Sequence, residues 1–216
     1  MDWLAQSYGQ VLDLTWRHLI LAGLPLLIGL AVALPLGYAA HRWRAAYAPL
    51  VTISGLLYTI PSLALFILMP LFIGTRILDP VNVVVAMTVY TVALLVRTVA
   101  DGLDSVPEDV ERAATAMGLG RIRTLLTVEL PLAIPVIAAG LRVAAVSNVS
   151  IVSVASLIGV AQLGDLLTDG YNRVIMPELV TGIMACILLA LALDSLILVL
   201  ARMLTPWRRA REVVSA

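Results

Sequence analysis

The chain has 216 residues, of which 61% are hydrophobic and 13% charged, against roughly 45–50% and about 25% in soluble globular domains. So apolar a chain lacks the polar surface to cover a water-facing fold, and lipid must be its solvent along much of its length. Its formal charge is zero, which gives no electrostatic basis for a nucleic-acid partner, and all 14 basic residues are arginines, so no Walker A loop, Schiff base or lysine general base can be built from it.

The N-terminal stretch MDWLAQSYGQ is neither basic nor followed at once by a short apolar segment with a cleavage site, and it does not read as a signal peptide. With about 20 apolar residues needed per crossing, the first span falls near His18–Ala40 and the second near Pro49–Ile73. His18 and His41 stand isolated at opposite ends of the first. In the second, Tyr58, Pro61 and Ser62 have two readings. Proline frees a carbonyl and interrupts the helix, which either shapes a pathway or makes a packing kink. A third span lies near Val81–Ala100, with Arg97 snorkelling at its end.

The longest stretch outside the spans runs from Asp101 to Glu129. Ser105 and Glu108 form an S-x-x-E capping box with Pro107 in the first turn. Val106, Val110, Ala113, Ala114 and Met117 recur on one face of the helix that this box predicts, with Glu108, Asp109, Glu111, Arg112 and Thr115 on the remainder. Gly118 and Gly120 supply a left-handed stop, and a second helical stretch, Arg121–Leu130, leads to Pro131. A short amphipathic helix of small residues either lets another protein approach its backbone or rests on lipid headgroups.

Leu130–Gly159 would be roughly 45 Å as one straight helix, too long for a simple crossing. Ser147, Asn148, Ser150 and Ser153 midway predict a kink or a break there. The last span lies near Glu178–Leu204 and holds the single cysteine, Cys186, so no intrachain disulfide is available. Arg142 and Asp194 fall inside spans, where charge is costly. They line a pathway, or they satisfy each other or loosened backbone carbonyls. Asn148 and Ser150 have the same two readings, pathway or structural bonding.

Arginines set the orientation. Arg42, Arg44, Arg112, Arg121, Arg123, Arg208, Arg209 and Arg211 lie on one side, and Arg17, Arg76 and Arg173 on the other. The first side is the cytoplasmic one, which puts the N-terminus outside, the C-terminus inside, and the span number odd, most simply five. Trp16, Trp43 and Trp207 lie near span ends, as an interfacial belt requires. The basic tail Pro206–Ala216 reads as a positive-inside anchor or as a sensor of anionic lipid. The expected fold is all-α: a polytopic helical membrane protein, one transmembrane domain over 1–216 with its core at about 12–203. No Ser/His/Asp set, H-E-x-x-H, cysteine cluster or metal-ligand spacing is found, so no catalytic residue, metal or cofactor is assigned.

The stretch Arg112–Gly118 (RAATAMG) followed by Val128–Pro131 (VELP) resembles the cytoplasmic EAA signature of ABC importer permeases. Tyr58–Leu65 (YTIPSLAL), Glu129–Val136 (ELPLAIPV), Ala139–Arg142 (AGLR) and Leu157–Asp165 (LIGVAQLGD) resemble its osmoprotectant branch, which imports glycine betaine, choline and carnitine. The likeness covers roughly 12–203. It implies an ATPase-coupling loop containing Glu108, Glu111, Arg112, Ala113, Ala114, Met117, Gly118, Leu130 and Pro131, and a pathway or gate at Tyr58, Pro61, Ser62, Asn148, Ser150, Gly159, Gln162 and Gly164. It implies as partners a cytoplasmic ABC ATPase, a second permease subunit, identical or not, and an extracytoplasmic binding protein, in the plasma membrane of a prokaryote. Two departures stand out. Arg112 occupies the usual glutamate position, with Glu111 one place earlier, through a register shift or a compensating change in the ATPase. The glycine-rich gate segment reads VAQLG, Val160–Gly164. Quaternary ammonium recognition uses aromatic cages. Aromatic residues make up 6% of the chain and form no cluster in sequence, so substrate selection is expected on the binding protein. The alternatives are an importer of another solute, such as methionine or phosphonate, and a secondary transporter, which odd span number, lack of repeats and sparse intramembrane acids disfavour.

Overall fold

A computed structural model describes residues 2–207, so Arg208, Arg209 and Arg211 of the basic tail lie outside the described residues. These form helices without strands. Helix α1 (Asp2–Arg42) is followed by α2 (Arg44–Thr59), α3 (Ser62–Ile73), α4 (Pro80–Asp104), α5 (Glu108–Ala116), α6 (Arg121–Thr124), α7 (Leu130–Ser153), α8 (Gly164–Asn172) and α9 (Met176–Leu204). A π-turn, Leu125–Glu129, joins α6 to α7, and a 3-10 turn, Val154–Ile158, leaves α7. Among the described residues, four stretches are long and apolar enough to cross a bilayer, and a fifth is gained if α2 and α3, bent by 105°, form one span.

Helix α4 is the axis of the bundle. Val83, Ala86, Met87, Tyr90, Leu95, Val96, Val99 and Leu103 are all buried along it, and α1, α7, α2 and α3 pack around it. Lipid offers no hydrophobic drive to bring helices together, so close backbone approach and dispersion must do so. A Cβ at Gly37 of α1 would lie 2.5 Å from Val99, and one at Gly140 of α7 would lie 2.3 Å from Thr98. Glycine at these sites is what lets α1 and α7 meet α4.

Several boundaries differ from the sequence expectation. Helix α1 starts well before His18 and, at 41 residues, is about 60 Å long, about twice the thickness of a bilayer core. The second span breaks at Ile60–Pro61. Helix α7 runs unbroken through Ser147, Asn148 and Ser150, where the Asn148 amide is spent on α1 and α4 instead of the α7 backbone, and the expected break falls after Ser153. Residues 101–104 belong to α4, and 121–129 run on into α7, which shortens the connecting loop. Pro131 has no N–H for the preceding turn, and that turn widens to π.

Candidate coupling helix and pathway

At one end of the bundle α5 lies between the ends of α4 and α7. The expected capping box does not form. Pro107 is the N-cap, no side chain caps the helix, and the Ser105 hydroxyl donates to Gly102 O at 2.6 Å within the end of α4. Gly118 makes the left-handed stop at φ +79°, whereas Gly120 has φ −69° and serves as the N-cap of α6.

The apolar stripe read from the sequence divides between two faces. Val106 and Ala114 are buried and Val110 half-buried, seating α5 on the bundle, while Ala113 and Met117 are exposed, Met117 by 73%. The outward face therefore holds Asp109, Arg112, Ala113, Ala116 and Met117. Arg112 pairs with Glu108 one turn back, Nη2 to Oε2 2.6 Å, both exposed. Glu111 turns the other way, into a cleft of about 500 Å³ shared with Tyr38, His41, Arg42, Arg121 and Glu129. Leu130 and Pro131, half-buried, open α7 beneath the π-turn.

His41 is not isolated. Its Nδ1 meets Asp104 Oδ1 at 2.5 Å and its Nε2 lies 3.9 Å from Glu129 Oε2. The Tyr47 hydroxyl donates to Asp101 at 3.0 Å, and Arg97 lies 3.3 Å from the same carboxylate. The residues just before and just after the α5 loop are thus tied to the ends of α1 and α2.

His18 is also partnered. It is fully buried, with Nδ1 2.8 Å from Gln162 Oε1 and Nε2 3.0 Å from Val149 O. Gln162, equally buried, accepts from Gly164 N at 2.5 Å and donates to Ser153 O at 3.2 Å. One amide thereby fastens α1, the end of α7 and the start of α8. Gly164 must be glycine here, since a Cβ would lie 2.1 Å from Ser153 O. Gly159 ends the 3-10 turn at φ +80°. Beyond it, Asp165 stands outside every apolar span. Burial, and then the charge of Asp169, push its carboxyl up to about 6.

Inside the bundle, Asn148 is buried and donates to Ala22 O at 3.2 Å and to Thr91 at 3.0 Å, in the turn of α1 that Pro25 loosens. Its amide is occupied by α1 and α4, so it lines no exposed surface. Ser150 is exposed. Arg142 and Asp194 pair across α7 and α9 through two parallel bonds of 2.7 and 2.8 Å, the fork geometry of a strong guanidinium–carboxylate pair. Tyr58 and Pro61 are exposed and Ser62 half-buried at the elbow of α2 and α3. There Tyr58 meets Tyr90, and the Tyr90 hydroxyl donates to Ile60 O. Sequence reading missed Tyr90, Thr91, Asp104 and Glu129 because each meets its partner only across the bundle.

The chain overlays a chain of the MetNI methionine ABC transporter, in inward-facing conformations, with a TM-score of 0.80 at 19% identity, over 93% of this chain and 98% of that one. The fold is that of an ABC permease. By sequence the chain belongs to the family of binding-protein-dependent transport system inner membrane components, whose pattern matches residues 20–210. It is therefore a multi-pass inner-membrane transport subunit and not an enzyme. It is 36% identical to the osmoprotectant import permease protein OsmW of Salmonella typhimurium, over 95% of this chain and 97% of that protein. It is 29% identical to the choline transport system permease OpuBB and to the glycine betaine/carnitine/choline permease OpuCB of Bacillus subtilis, in each case over 95% of this chain and 94% of the relative.

Proposed function

We propose that the chain is the membrane-spanning subunit of an ATP-driven importer of quaternary ammonium osmoprotectants of the glycine betaine, choline and carnitine type. The observation that carries this reading is similarity along nearly the full length to permeases of that substrate class. A chain without lysine leaves ATP hydrolysis to a separate cytoplasmic subunit. The outward face of α5, with Ala113, Ala116 and Met117 beside Arg112, is the surface offered to that ATPase. Arg112 points outward while Glu111 faces the cleft, which supports a compensating acidic residue in the ATPase groove over a register shift. When the ATPase dimer closes, α5 moves as a rigid lever. Its ties through Asp104, Glu129 and Asp101 carry the motion to α1 and α2.

In this reading the α5 end faces the cytoplasm, following the arginine excess, and α8 faces outward toward the binding protein. A second permease subunit completes the pathway, to which Tyr58, Pro61, Ser62 and Ser150 contribute. Gln162, Gly159 and Gly164 hold the outer gate segment. Mild-detergent purification of the tagged chain from its native membrane tests the assembly, and is expected to bring down an ATPase with a Walker A loop. Reconstitution with the binding protein is then expected to give ATP-dependent uptake of a quaternary ammonium solute. Uptake without ATP by the chain alone would overturn the proposal, and ATP-dependent uptake of methionine instead would overturn its substrate.

A further inference from the structure

The elbow between α2 and α3 joins three features. The first is open backbone. The carbonyl oxygens of Tyr58 and Thr59 receive no backbone hydrogen bond among the described residues, whereas those of Leu57 and Pro61 on either side are used, by Ile60 N and Leu65 N. The second is depth. Sixteen residues of α2 separate Trp43 from Ile60, about 24 Å of rise, which leaves the elbow within a hydrocarbon core of about 30 Å. Irregular backbone at that depth survives only if covered by protein or lining a water-filled space. Thr59 and Pro61 are exposed here, so the elbow borders water or a neighbouring subunit and not acyl chains. The third is aromatic. Tyr58 is 40% exposed as a residue, and its ring stands edge-to-face with Tyr90, centroids 5.6 Å apart at 87°. Tyr90 is buried and anchored by its hydroxyl to Ile60 O, which ties the aromatic pair to the elbow itself.

A π-face beside unpaired carbonyl dipoles is electronegative without carrying a formal charge. Such a surface attracts a bulky cation that cannot donate hydrogen bonds, and it releases that cation readily, because no ion pair has to be broken. A small metal ion would demand more oxygen ligands, and an anion would be repelled. We propose that Tyr58, backed by Tyr90 and the open carbonyls of Tyr58 and Thr59, is a transit site in the permease for the quaternary ammonium group of the substrate. The proposal rests on the substrate class argued above and refines it. Selection stays with the binding protein, and the permease offers one weak station along the pathway. The aromatic content that looks too sparse for a cage in sequence is brought together across 32 residues by the packing of α2 on α4.

The test uses the assembled transporter in proteoliposomes with labelled choline and glycine betaine as probes. Tyr58 is replaced by phenylalanine and by mono-, di- and trifluorophenylalanine, which keep the ring's shape and drain its π-face stepwise. Uptake at subsaturating substrate is expected to fall with each fluorine, by roughly tenfold across the series, while ATP hydrolysis stimulated by the loaded binding protein stays level. Tyr58→Leu, which keeps apolar bulk without a π-face, is expected to match the trifluoro variant. A flat fluorine series in a transporter that moves choline or betaine would overturn the site and leave the substrate class standing. An unsubstituted transporter that moves neither probe but imports another solute would overturn both together.

Discussion

Arg142 and Asp194 show how a single pair of charges is tolerated within the apolar spans. Each alone would be an uncompensated charge near the bilayer centre, yet the two form parallel bonds of 2.7 and 2.8 Å. Arg142→Asp or Asp194→Arg is expected to deplete the protein from the membrane. The double exchange is expected to restore at least half of the wild-type amount by quantitative immunoblot, and no rescue would count against the pair as a structural tie. Asp165 makes a pH prediction. Its carboxyl is raised to about 6 in the folded protein from an ordinary 3.8. The folded state therefore holds a proton between these values that the unfolded state has released, and stability falls as pH rises through that window. Asp165→Asn is expected to raise the melting temperature in detergent at pH 7.5 and to leave it unchanged at pH 4. An equal shift at both pH values would show that the carboxylate's burial is not the cause.

At the scale of elements, α5 has two distinct faces. Val106 and Ala114 hold it to the bundle, and Ala113 and Met117 stay uncovered. Ala113→Trp adds bulk outside the bundle, so the amount of inserted protein is expected to stay near wild type while uptake and stimulated ATP hydrolysis are lost. Arg112→Glu is expected to do the same, with restoration by an opposite change in the ATPase groove. Normal uptake by both variants would remove α5 from the coupling role. Gly118 shows no side-chain or backbone atom within 4 Å of an added Cβ, but its φ is +79°. Gly118→Ala therefore costs backbone strain alone, about 1–2 kcal/mol, measurable as reduced thermal stability without a steric defect.

For the whole molecule, orientation and packing are the points to test. With Cys186 replaced by serine, a cysteine at Ala116 is expected to react with impermeant maleimide only in inside-out vesicles, and one at Asn172 only in right-side-out ones. The reverse pattern would invert the proposed topology. The three-helix core is expected to resist enlargement. Gly37→Val would force a side chain where a Cβ already lies 2.5 Å from Val99, at a cost of about 1–3 kcal/mol, seen as lower thermal stability of the purified chain.

Membrane residence, the number of spans to within one, the helical class and the position of α5 could be read from the residues, because each rests on composition or on a local period that any fold must respect. The motif RAATAMG and its neighbours gave the family. The pairing of Arg142 with Asp194 was one of several ways to tolerate those charges, and packing decided among them. Other features belong to the tertiary structure alone. Ser105 matched a capping box, but it bonds to the end of α4 instead, since a local motif competes with whatever else the fold brings within reach. Asn148 and its neighbours suggested a break in α7, yet α1 and α4 satisfy the Asn148 amide and the helix continues to Ser153. His18 and His41 looked solitary because Gln162, Asp104 and Glu129 are distant in sequence, and Tyr58 looked solitary because Tyr90 lies on another helix. A sequence records which groups need partners. Only the packed bundle, by setting which helix faces which, decides who those partners are.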